Sequence, residues 1–518
     1  MTFGQGWYDA DVWGKLPRDG KENGGTGVEL WAVIEAESKD DAFEQWRQLA
    51  NSLSGLFCAS LNFIDSSLTT SPVTVFQPKF ASLENALIKT GNDMYLFRSA
   101  LPREPVCTEN LTPFLKILPT KGKAGIFSLL TGKKMFNSEW SSMAVDILTV
   151  CDSENDCHYQ IKQSIDLIKN IPRVLERNVM PIPKPISGDD LRCDLTKKAD
   201  LFHCFPLPES NELDFDLYDL FGRVIHGGAL MASTQTRVCA DLDTRYWKVL
   251  LNSSAPAGDS IHEDGRLCFD LNTNADYDLR FSTKDSTQIV SLDPPPIYAS
   301  RSLSGYSQDS GGFRIDLYNP TDEDENVVIF ETFPWFVRLS LHTLTITVND
   351  TASHGVSDKV INNVVDEIIY NPAVDRKSPS HLELMTSIPS KTKVKLSLDF
   401  DKAMLLYAEY PPDANHGFEI DPAVISIIDK ITGDTMYQMR TTTALLTLPT
   451  PDFSMPYNVI ILTSTVMSLA FGSFFNLLTK RTVTEEEAEA AAANSSIRIT
   501  TNRILGYRQK LRSMVRGN

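Results

Sequence analysis

The sequence lacks the short motifs that usually mark an active site. It contains no HExxH metal-protease motif, GxSxG nucleophile motif, Walker A phosphate loop or GxGxxG dinucleotide motif, and its eight histidines are scattered. The cysteines also lack the paired short spacings of a zinc site. We therefore expect no metal and no cofactor. A hydrolase with a triad assembled from distant residues stays open, because such a triad has no local motif.

Basic residues are too few for a nucleic-acid-binding protein. Lys and Arg number 49 against 67 Asp and Glu, so the formal net charge is -18. Phosphate binding requires clustered basic residues, and we expect no nucleic-acid partner. The charge is uneven: residues 480–518 hold eight basic and four acidic residues, a net of +4, so residues 1–479 carry the difference, -22.

The first residues, MTFGQGW, lack the basic and apolar regions of a signal peptide. A protein with a lumenal body needs one, so we expect this sequence to start inside a longer protein.

One long run has no charge at all. Residues 457–478 are 22 uncharged, mostly apolar residues, and a membrane span needs about 20. Lys480 and Arg481 follow at once, which places the C-terminus in the cytosol. We predict a transmembrane helix over 456–479, a cytosolic tail over 480–518 and type I topology; a buried helix of a soluble protein is the alternative. Ser468 and Gly472 form a small-x3-small pair that permits close packing with another helix.

The eight cysteines are typical of an oxidising compartment. Cys151 and Cys157 lie so close in sequence that a disulfide bond between them is favoured over a zinc site. Three sequons, at Asn252, Asn349 and Asn110, are candidate N-glycosylation sites. Asn110 ranks lowest because a proline follows its threonine.

Two periodicities divide the body. Apolar residues from Ala42 to Phe57 recur every three or four positions behind Ser38, which predicts a helix with Ser38 as N-cap. A second helix is predicted through Ile161, Ile165, Ile168 and Ile171. Beyond the proline-rich residues 181–185, strict alternation predicts strands; it is clearest in the sets Val337, Leu339 and Leu341, and Val394, Leu396, Leu398 and Phe400.

The predicted fold class is mainly β with some α: β-sandwich-type lumenal domains plus one C-terminal transmembrane helix. We expect an N-terminal α+β domain over 1–205 and a β-sandwich domain over 206–455. Boundaries or loops are expected near 181–188 and 293–312. The aromatic run from Phe333 to Phe336 is expected in the core.

Several blocks resemble one family closely. They are LSGLFCASLNFID (53–65), LPREPVCTENLT (101–112), PWFVRLSLHTLTI (334–346), YPPDANHGF (410–418) and LPTPDFSMPYNV (448–459). In this order they are similar to PIG-T, the large lumenal subunit of the GPI transamidase complex, in a fungal-type version that lacks the beginning of the family's sequence. The tail is longer and more acidic than is typical of the family.

The resemblance implies a non-catalytic scaffold subunit in the endoplasmic reticulum membrane. In this family a separate caspase-like subunit supplies the catalytic cysteine that attaches GPI anchors to proproteins. The implied partners are that subunit, the other membrane subunits of the complex, and GPI glycolipid and proprotein through the complex. The runner-up is a type I cell-surface binding protein with a β-sandwich ectodomain.

The resemblance also assigns a role to Cys107, in the LPREPVC block. It corresponds to the cysteine that forms an intermolecular disulfide with the catalytic subunit. With Cys107 so used, seven cysteines remain, an odd number, and Cys58 is expected to be free and buried. Internal pairing of Cys107 is the alternative.

Overall fold

The structure is a computed structural model. It describes residues 1–76, 93–116, 124–153, 156–179, 192–193, 204–205, 212–228, 236–253, 261–263, 265–272, 275–305, 307–350, 359–360, 365–411, 416–450, 454–480, 482–493 and 495–515. The chain divides into two compact units, Met1–Pro449 and Thr450–Asn518, and each is described by itself.

The described helices and strands are as follows. The helices are α1 Ala10–Trp13, α2 Lys39–Phe57, α3 Thr108–Lys116, α4 Gly132–Met135, α5 Ile171–Val179, α6 Leu217–Phe221, α7 Ser454–Thr479, α8 Glu485–Ala493 and α9 Ser496–Val515. The first strands are β1 Thr2–Gln5, β2 Gly27–Ala36, β3 Asp93–Leu101, β4 Trp140–Ser153, β5 Asp156–Ile168, β6 Arg192–Cys193, β7 Cys204–Phe205, β8 Leu213–Asp216, β9 Ile225–His226, β10 Thr236–Ala240, β11 Trp247–Ser253, β12 Ile261–Glu263, β13 Arg266–Leu271 and β14 Asp276–Thr283. The remaining strands are β15 Tyr298–Ser304, β16 Ser310–Tyr318, β17 Glu325–Phe333, β18 Val337–Asp350, β19 Lys359–Val360, β20 Val365–Asn371, β21 Ser380–Ile388, β22 Thr392–Lys402, β23 Phe418–Ile420, β24 Val424–Ile428, β25 Thr435–Arg440 and β26 Ala444–Leu446.

The N-terminal sheet has the strand order β3-β2-β1-β4-β5, and its pairings are antiparallel. Helix α2 packs on it and buries Ala42, Trp46 and Ala50 in the core. The predicted helix start is confirmed, because the Ser38 side chain accepts a hydrogen bond from the Asp41 N–H at 3.2 Å.

The second predicted helix is wrong over most of its length. Residues 156–168 form strand β5, and the helix begins only at Ile171. Ile161 and Ile165 are four positions apart, a spacing that suits both one helix face and one strand face. The residues form a strand because β5 pairs with β4 over its whole length. Isoleucine, which is β-branched, also favours the strand conformation.

In the sequence between the N-terminal sheet and the sandwich, the strands from Leu213 to Thr283 form two smaller sheets that share a hydrophobic core of their own. Their orders are β10-β13-β12 and β11-β14-β8, with β9 also paired to β14. Cys239 in β10 and Cys268 in β13 lie opposite each other and form a disulfide bond. The sequence reasoning missed this pair, because 29 positions separate the two residues and no local spacing marks them.

The β-sandwich packs the sheet β15-β16-β22-β18-β19 against the sheet β20-β21-β17-β24-β25. The predicted alternation in β22 is confirmed, since Val394, Leu396, Leu398 and Phe400 are all buried. In β18, Val337 is buried while Leu339 and Leu341 are half-buried against the same core. Phe333 and Phe336 are buried as expected, with Trp335 half-buried beside them.

The expected domain limits, 1–205 and 206–455, stay predictions. The sandwich occupies strands from Tyr298 to Leu446, and the strands from Leu213 to Thr283 have a core of their own. The expected domain over 206–455 thus contains two cores. Of the boundary or loop expected near 293–312, residues 293–297 precede β15, whereas most of the remaining residues belong to strands β15 and β16. The expected boundary at 181–188 falls outside the described residues.

The second unit contains a single helix long and apolar enough to cross a membrane, among the residues described there. This stretch of α7 covers Tyr457–Thr479. Helices α8 and α9 follow in the tail. The predicted fold class, mainly β with some α and one C-terminal apolar helix, is confirmed.

Candidate functional site around Cys107

Cys107 immediately precedes helix α3 and is half-exposed. Among the described residues, it and Cys58 are the free cysteines. The helix behind it is anchored in the core, where Leu111 and Phe114 are completely buried. Cys107 therefore presents a thiol at the surface of a well-packed part of the N-terminal sheet.

A buried amide, that of Asn110, fixes the backbone around this thiol. Its side-chain oxygen accepts a hydrogen bond from the Cys107 N–H at 2.7 Å, and its nitrogen donates to the carbonyl oxygens of Phe57 at 2.7 Å and Cys58 at 3.3 Å. Asn110 is 0% exposed. One side chain thus joins the end of α2 to the start of α3, and holds both free cysteines near one another.

The expected glycan at Asn110 stays a prediction, and this geometry argues against it. A glycan would be attached to the same amide nitrogen, which is buried and already donates two hydrogen bonds. In the folded chain this nitrogen has no contact with solvent through which a glycan could leave the surface. We infer a structural role for Asn110 in place of glycosylation.

Cys58 is exposed, so the expectation that it is buried is wrong. It ends helix α2 in the left-handed conformation, at φ 52°, and its N–H donates to the Ser54 carbonyl oxygen. A residue at this C-cap position turns away from the helix and the apolar face that the helix buries. The apolar neighbours of Cys58 in the sequence had suggested burial.

The electrostatic surroundings of Cys107 keep its thiol protonated. Burial raises the pKa of Cys107, and the hydrogen bond from its thiol to the Glu109 carboxylate raises it further. The pKa of Glu109 is lowered by the same hydrogen bond. Because the thiolate is the reactive form, these contacts slow attack by Cys107 on other disulfides.

The residues before Cys107 connect two parts of the body. Arg103 lies 3.6 Å from the Glu419 carboxylate in strand β23, which pairs with β26 and packs on the sandwich core. Glu104 accepts a hydrogen bond from the Ser60 N–H at 2.8 Å, just after α2. The block that carries Cys107 is thereby held by both the N-terminal sheet and the sandwich.

Comparisons with known proteins show the family to which the chain belongs. Residues 1–505 match the protein family described as "Gpi16 subunit, GPI transamidase component". The chain is 46% identical to GPI transamidase component GPI16 of Saccharomyces cerevisiae, over 96% of this chain and 81% of that protein. It is 35% identical to the PIG-T homolog of Schizosaccharomyces pombe, over 93% and 79%, and 31% identical to human PIGT, over 94% and 81%.

The chain belongs to the Gpi16/PIG-T family of GPI transamidase components. The resemblance identified from the sequence blocks is confirmed. As a family member, the chain is a subunit of the GPI transamidase complex and an endoplasmic reticulum membrane protein. The alternative of a stand-alone cell-surface binding protein finds no support.

Four further cysteines of this Gpi16/PIG-T family member are placed by strand pairing alone. Cys151 in β4 lies opposite Cys157 in β5, and Cys193 in β6 lies opposite Cys204 in β7. Residues opposite each other in antiparallel strands are the neighbours that a disulfide can join. The Cys151–Cys157 bond stays a prediction, and the second facing pair was missed because its short strands have no clear sequence pattern.

The remaining predicted site residues lie away from Cys107 in sequence and element. Asn252 is exposed in β11, where a glycan has access to solvent. Asn349 is in β18 opposite Lys393, and its side chain lies outside the described part of the chain. Ser468 and Gly472 lie one helical turn apart in α7. Both sequons and the small-residue pair remain proposals.

The described residues contain no group of three or more His, Cys, Asp or Glu arranged to hold a metal ion.

Sequence reasoning also missed a buried set of charges between the N-terminal sheet and the sandwich. Its central pair is Arg98 and Glu29, with the Arg98 Nε atom 2.8 Å from Glu29 Oε1. Nothing in the local sequence marks this pair, because its members are on different strands.

Proposed function

We propose that the chain is a non-catalytic scaffold subunit of GPI transamidase. In this role it holds the caspase-like catalytic subunit through a disulfide bond from Cys107. The supporting observation is the Cys107 platform: a half-exposed free thiol whose backbone is fixed by the buried Asn110. A thiol on a fixed backbone suits a permanent covalent contact, since little chain entropy is lost when the bond forms.

A covalent bond would make every other contact between the two subunits intramolecular. Effective concentrations for such tethered contacts are about millimolar for short flexible connections. Modest non-covalent contacts are then sufficient to keep the subunits together. GPI glycolipid and proprotein would meet at the catalytic subunit while this chain positions it among the other membrane subunits.

The proposed topology is type I, with the body in the lumen and the tail in the cytosol. Lys480 directly follows the apolar stretch and the tail is rich in basic residues, as cytosolic flanks are. The Cys239–Cys268 disulfide bond in the body supports an oxidising, lumenal location.

The test compares wild type with Cys107→Ser and Cys58→Ser. Cys58 is the matched control, because it too is a free cysteine and is more exposed than Cys107. Each full-length protein is isolated from membranes in mild detergent with free thiols blocked, and run on reducing and non-reducing gels. The heavier band is analysed for a caspase-like protein by mass spectrometry.

We expect the heavier band in wild type and Cys58→Ser, its loss on reduction, and its absence in Cys107→Ser. The Cys107→Ser complex should be weakened but still recoverable in mild detergent. A heavier band that is lost in Cys58→Ser but kept in Cys107→Ser would show that Cys58, and not Cys107, forms the intermolecular disulfide. A monomeric wild type on both gels would overturn the disulfide, and the absence of any copurifying subunit would overturn the scaffold role.

A further inference from the structure

The segment after strand β22 alternates between core and solvent. Ala403 and Leu405 pack against the sandwich core, and the Ala403 N–H donates to the Phe336 carbonyl oxygen at 2.8 Å. Met404 and Leu406 point the other way and are 79% and 61% exposed. The core contacts of every second residue therefore hold two large apolar side chains in solvent.

This segment, residues 403–410, is tied to the end of the body. The Tyr410 hydroxyl donates a hydrogen bond to the carbonyl oxygen of Pro449, the last residue of the first unit. Tyr410 also contacts Phe418, with ring centroids 6.4 Å apart. The exposed apolar residues thus belong to the part of the sandwich from which the chain leaves for the apolar helix.

The covalent connection limits how far this part can lie from a bilayer. Helix α7 begins at Ser454 and its apolar stretch at Tyr457. Five extended residues and one helical turn span about 22 Å at most. Pro449 can therefore lie no farther than about this distance from the start of the apolar stretch.

The residues next to this segment are aromatic, basic and acidic, a mixture that is common at membrane interfaces. The Arg376 guanidinium lies 4.7 Å from the centre of the Trp335 ring and pairs with the Glu409 carboxylate. Glu409 in turn accepts a hydrogen bond from the Leu406 N–H at 2.6 Å. Tyr407, beside the apolar pair, is 49% exposed. Aromatic and basic residues around projecting apolar side chains are typical of proteins that sit at the headgroup level.

We infer that residues 403–410 form a lipid-contacting segment of the body, with Met404 and Leu406 inserted at the boundary between headgroups and acyl chains. The partner is the bilayer that holds the chain's own helix. Such a contact adds a second, non-covalent attachment of the body to the membrane, and so restricts its tilt above the bilayer. It is independent of the disulfide proposed at Cys107.

The test places an environment-sensitive NBD fluorophore at Met404→Cys. Met436→Cys is the matched control, because Met436 is 52% exposed and lies near the start of β25, away from the end that leads to Pro449. Both variants carry Cys58→Ser, and the signal of Cys58→Ser alone is subtracted. The chain and its copurifying subunits are reconstituted in phosphatidylcholine nanodiscs, with and without lipids that carry a nitroxide on the fifth acyl carbon.

We expect blue-shifted emission at position 404 and loss of about half its intensity with nitroxide lipid, since inserted side chains reach this depth. The probe at position 436 should show water-like emission and no loss. Water-like emission at 404 would overturn the inference, because nothing then covers the segment. Blue-shifted emission at 404 without nitroxide quenching would also overturn it, since a protein subunit would be the occupant.

Discussion

Arg440 and Glu29 are 411 positions apart in the sequence, yet the Arg440 Nε atom donates a hydrogen bond to Glu29 Oε2 at 3.1 Å. Glu29 also accepts from Arg98 on the neighbouring strand, so one carboxylate on β2 is shared by two arginines. Arg98 is 1% exposed and lies 5.1 Å from the centre of the Phe330 ring. This charge cluster joins the N-terminal sheet to the sandwich.

We predict that Glu29→Gln destabilises the body by about 3 to 5 kcal/mol, because it leaves two buried guanidinium groups without their carboxylate. The control is Arg280→Gln, which removes the exposed pair between Arg280 and Asp214 and should change the free energy of unfolding little, because water screens exposed charges. Thermal unfolding of both variants in the same detergent measures the difference. Equal losses would show that burial does not decide the strength of the cluster.

The same cluster predicts a loss of stability in acid. Burial acts to raise the pKa of Glu29, but the charges of Arg440 and Arg98 outweigh it and hold this pKa below its ordinary value. The stabilisation is therefore present above the ordinary pKa and is lost as the pH falls through the lower, folded value. We expect the free energy of unfolding of Glu29→Gln to fall less than that of wild type as the pH is lowered through this range.

For Glu331 we expect stability to depend on pH in the opposite sense. One of its oxygens accepts from Arg301 at 2.6 Å, while Oε1 has no hydrogen-bond donor within the described structure. Burial raises the pKa of Glu331 to about 7, in spite of the Arg301 charge. Between pH about 4.5 and 7 the unfolded chain releases a proton that the folded chain keeps, so stability should fall with rising pH, by on the order of 3 kcal/mol.

Glu331→Gln should flatten this part of the curve of stability against pH. The control is Glu367→Gln, an exposed carboxyl on β20 of the same sheet, which should leave the slope unchanged. Unfolding midpoints at a series of pH values measure both. A Glu331→Gln curve parallel to that of wild type would contradict the assignment of the slope to this group.

The glycosylation inference is tested without disturbing Asn110. Thr112→Val removes the sequon, and the Thr112 hydroxyl bonds only locally, to the Thr108 carbonyl oxygen at 3.0 Å. We expect no change in gel mobility before or after endoglycosidase treatment, because the Asn110 amide is buried in the folded chain. Asn252→Gln is the comparison and should remove one glycan from the exposed site. A faster band for Thr112→Val would show that Asn110 is modified after all.

Asn110→Asp tests the platform itself. The aspartate keeps the acceptor for the Cys107 N–H but loses both donors, so the carbonyl oxygens of Phe57 and Cys58 lose their partner and a charge is buried. We expect a loss of about 2 to 4 kcal/mol of stability and a smaller fraction of Cys107 in the heavier, disulfide-linked band. Thr112→Val is again the control. An unchanged disulfide fraction in a destabilised variant would separate stability from the positioning of Cys107.

Local patterns in the sequence predicted local structure well. The Ser38 cap, the buried residues of β22 and the apolar helix over Tyr457–Thr479 each depend on neighbours within a few residues. The prediction failed where long-range pairing decides the outcome. Ile161 and Ile165 suit either secondary structure, and only their pairing with β4 selects the strand.

At the candidate site, too, local sequence was informative and long-range contacts could not be predicted. Cys107 was identified by resemblance, because a family block surrounds it. The role of Asn110 could not be predicted, since its partners Phe57 and Cys58 are more than 50 positions away and its sequon suggested a different chemistry. The charge cluster and the Cys239–Cys268 bond were missed for the same reason, as their members meet only after the sheets have formed.

The central place of β1 in its sheet sets an order of events during synthesis. One neighbour, β2, follows within about 20 residues, whereas the other, β4, starts only at Trp140. At 5 to 20 residues per second, β1 waits on the order of ten seconds for its second partner. Glu29 waits several times longer for Arg440. The newly made chain therefore holds Glu29 with Arg98 alone until nearly all of the body has been synthesised, and the contact between sheet and sandwich that Arg440 completes is among the last to form.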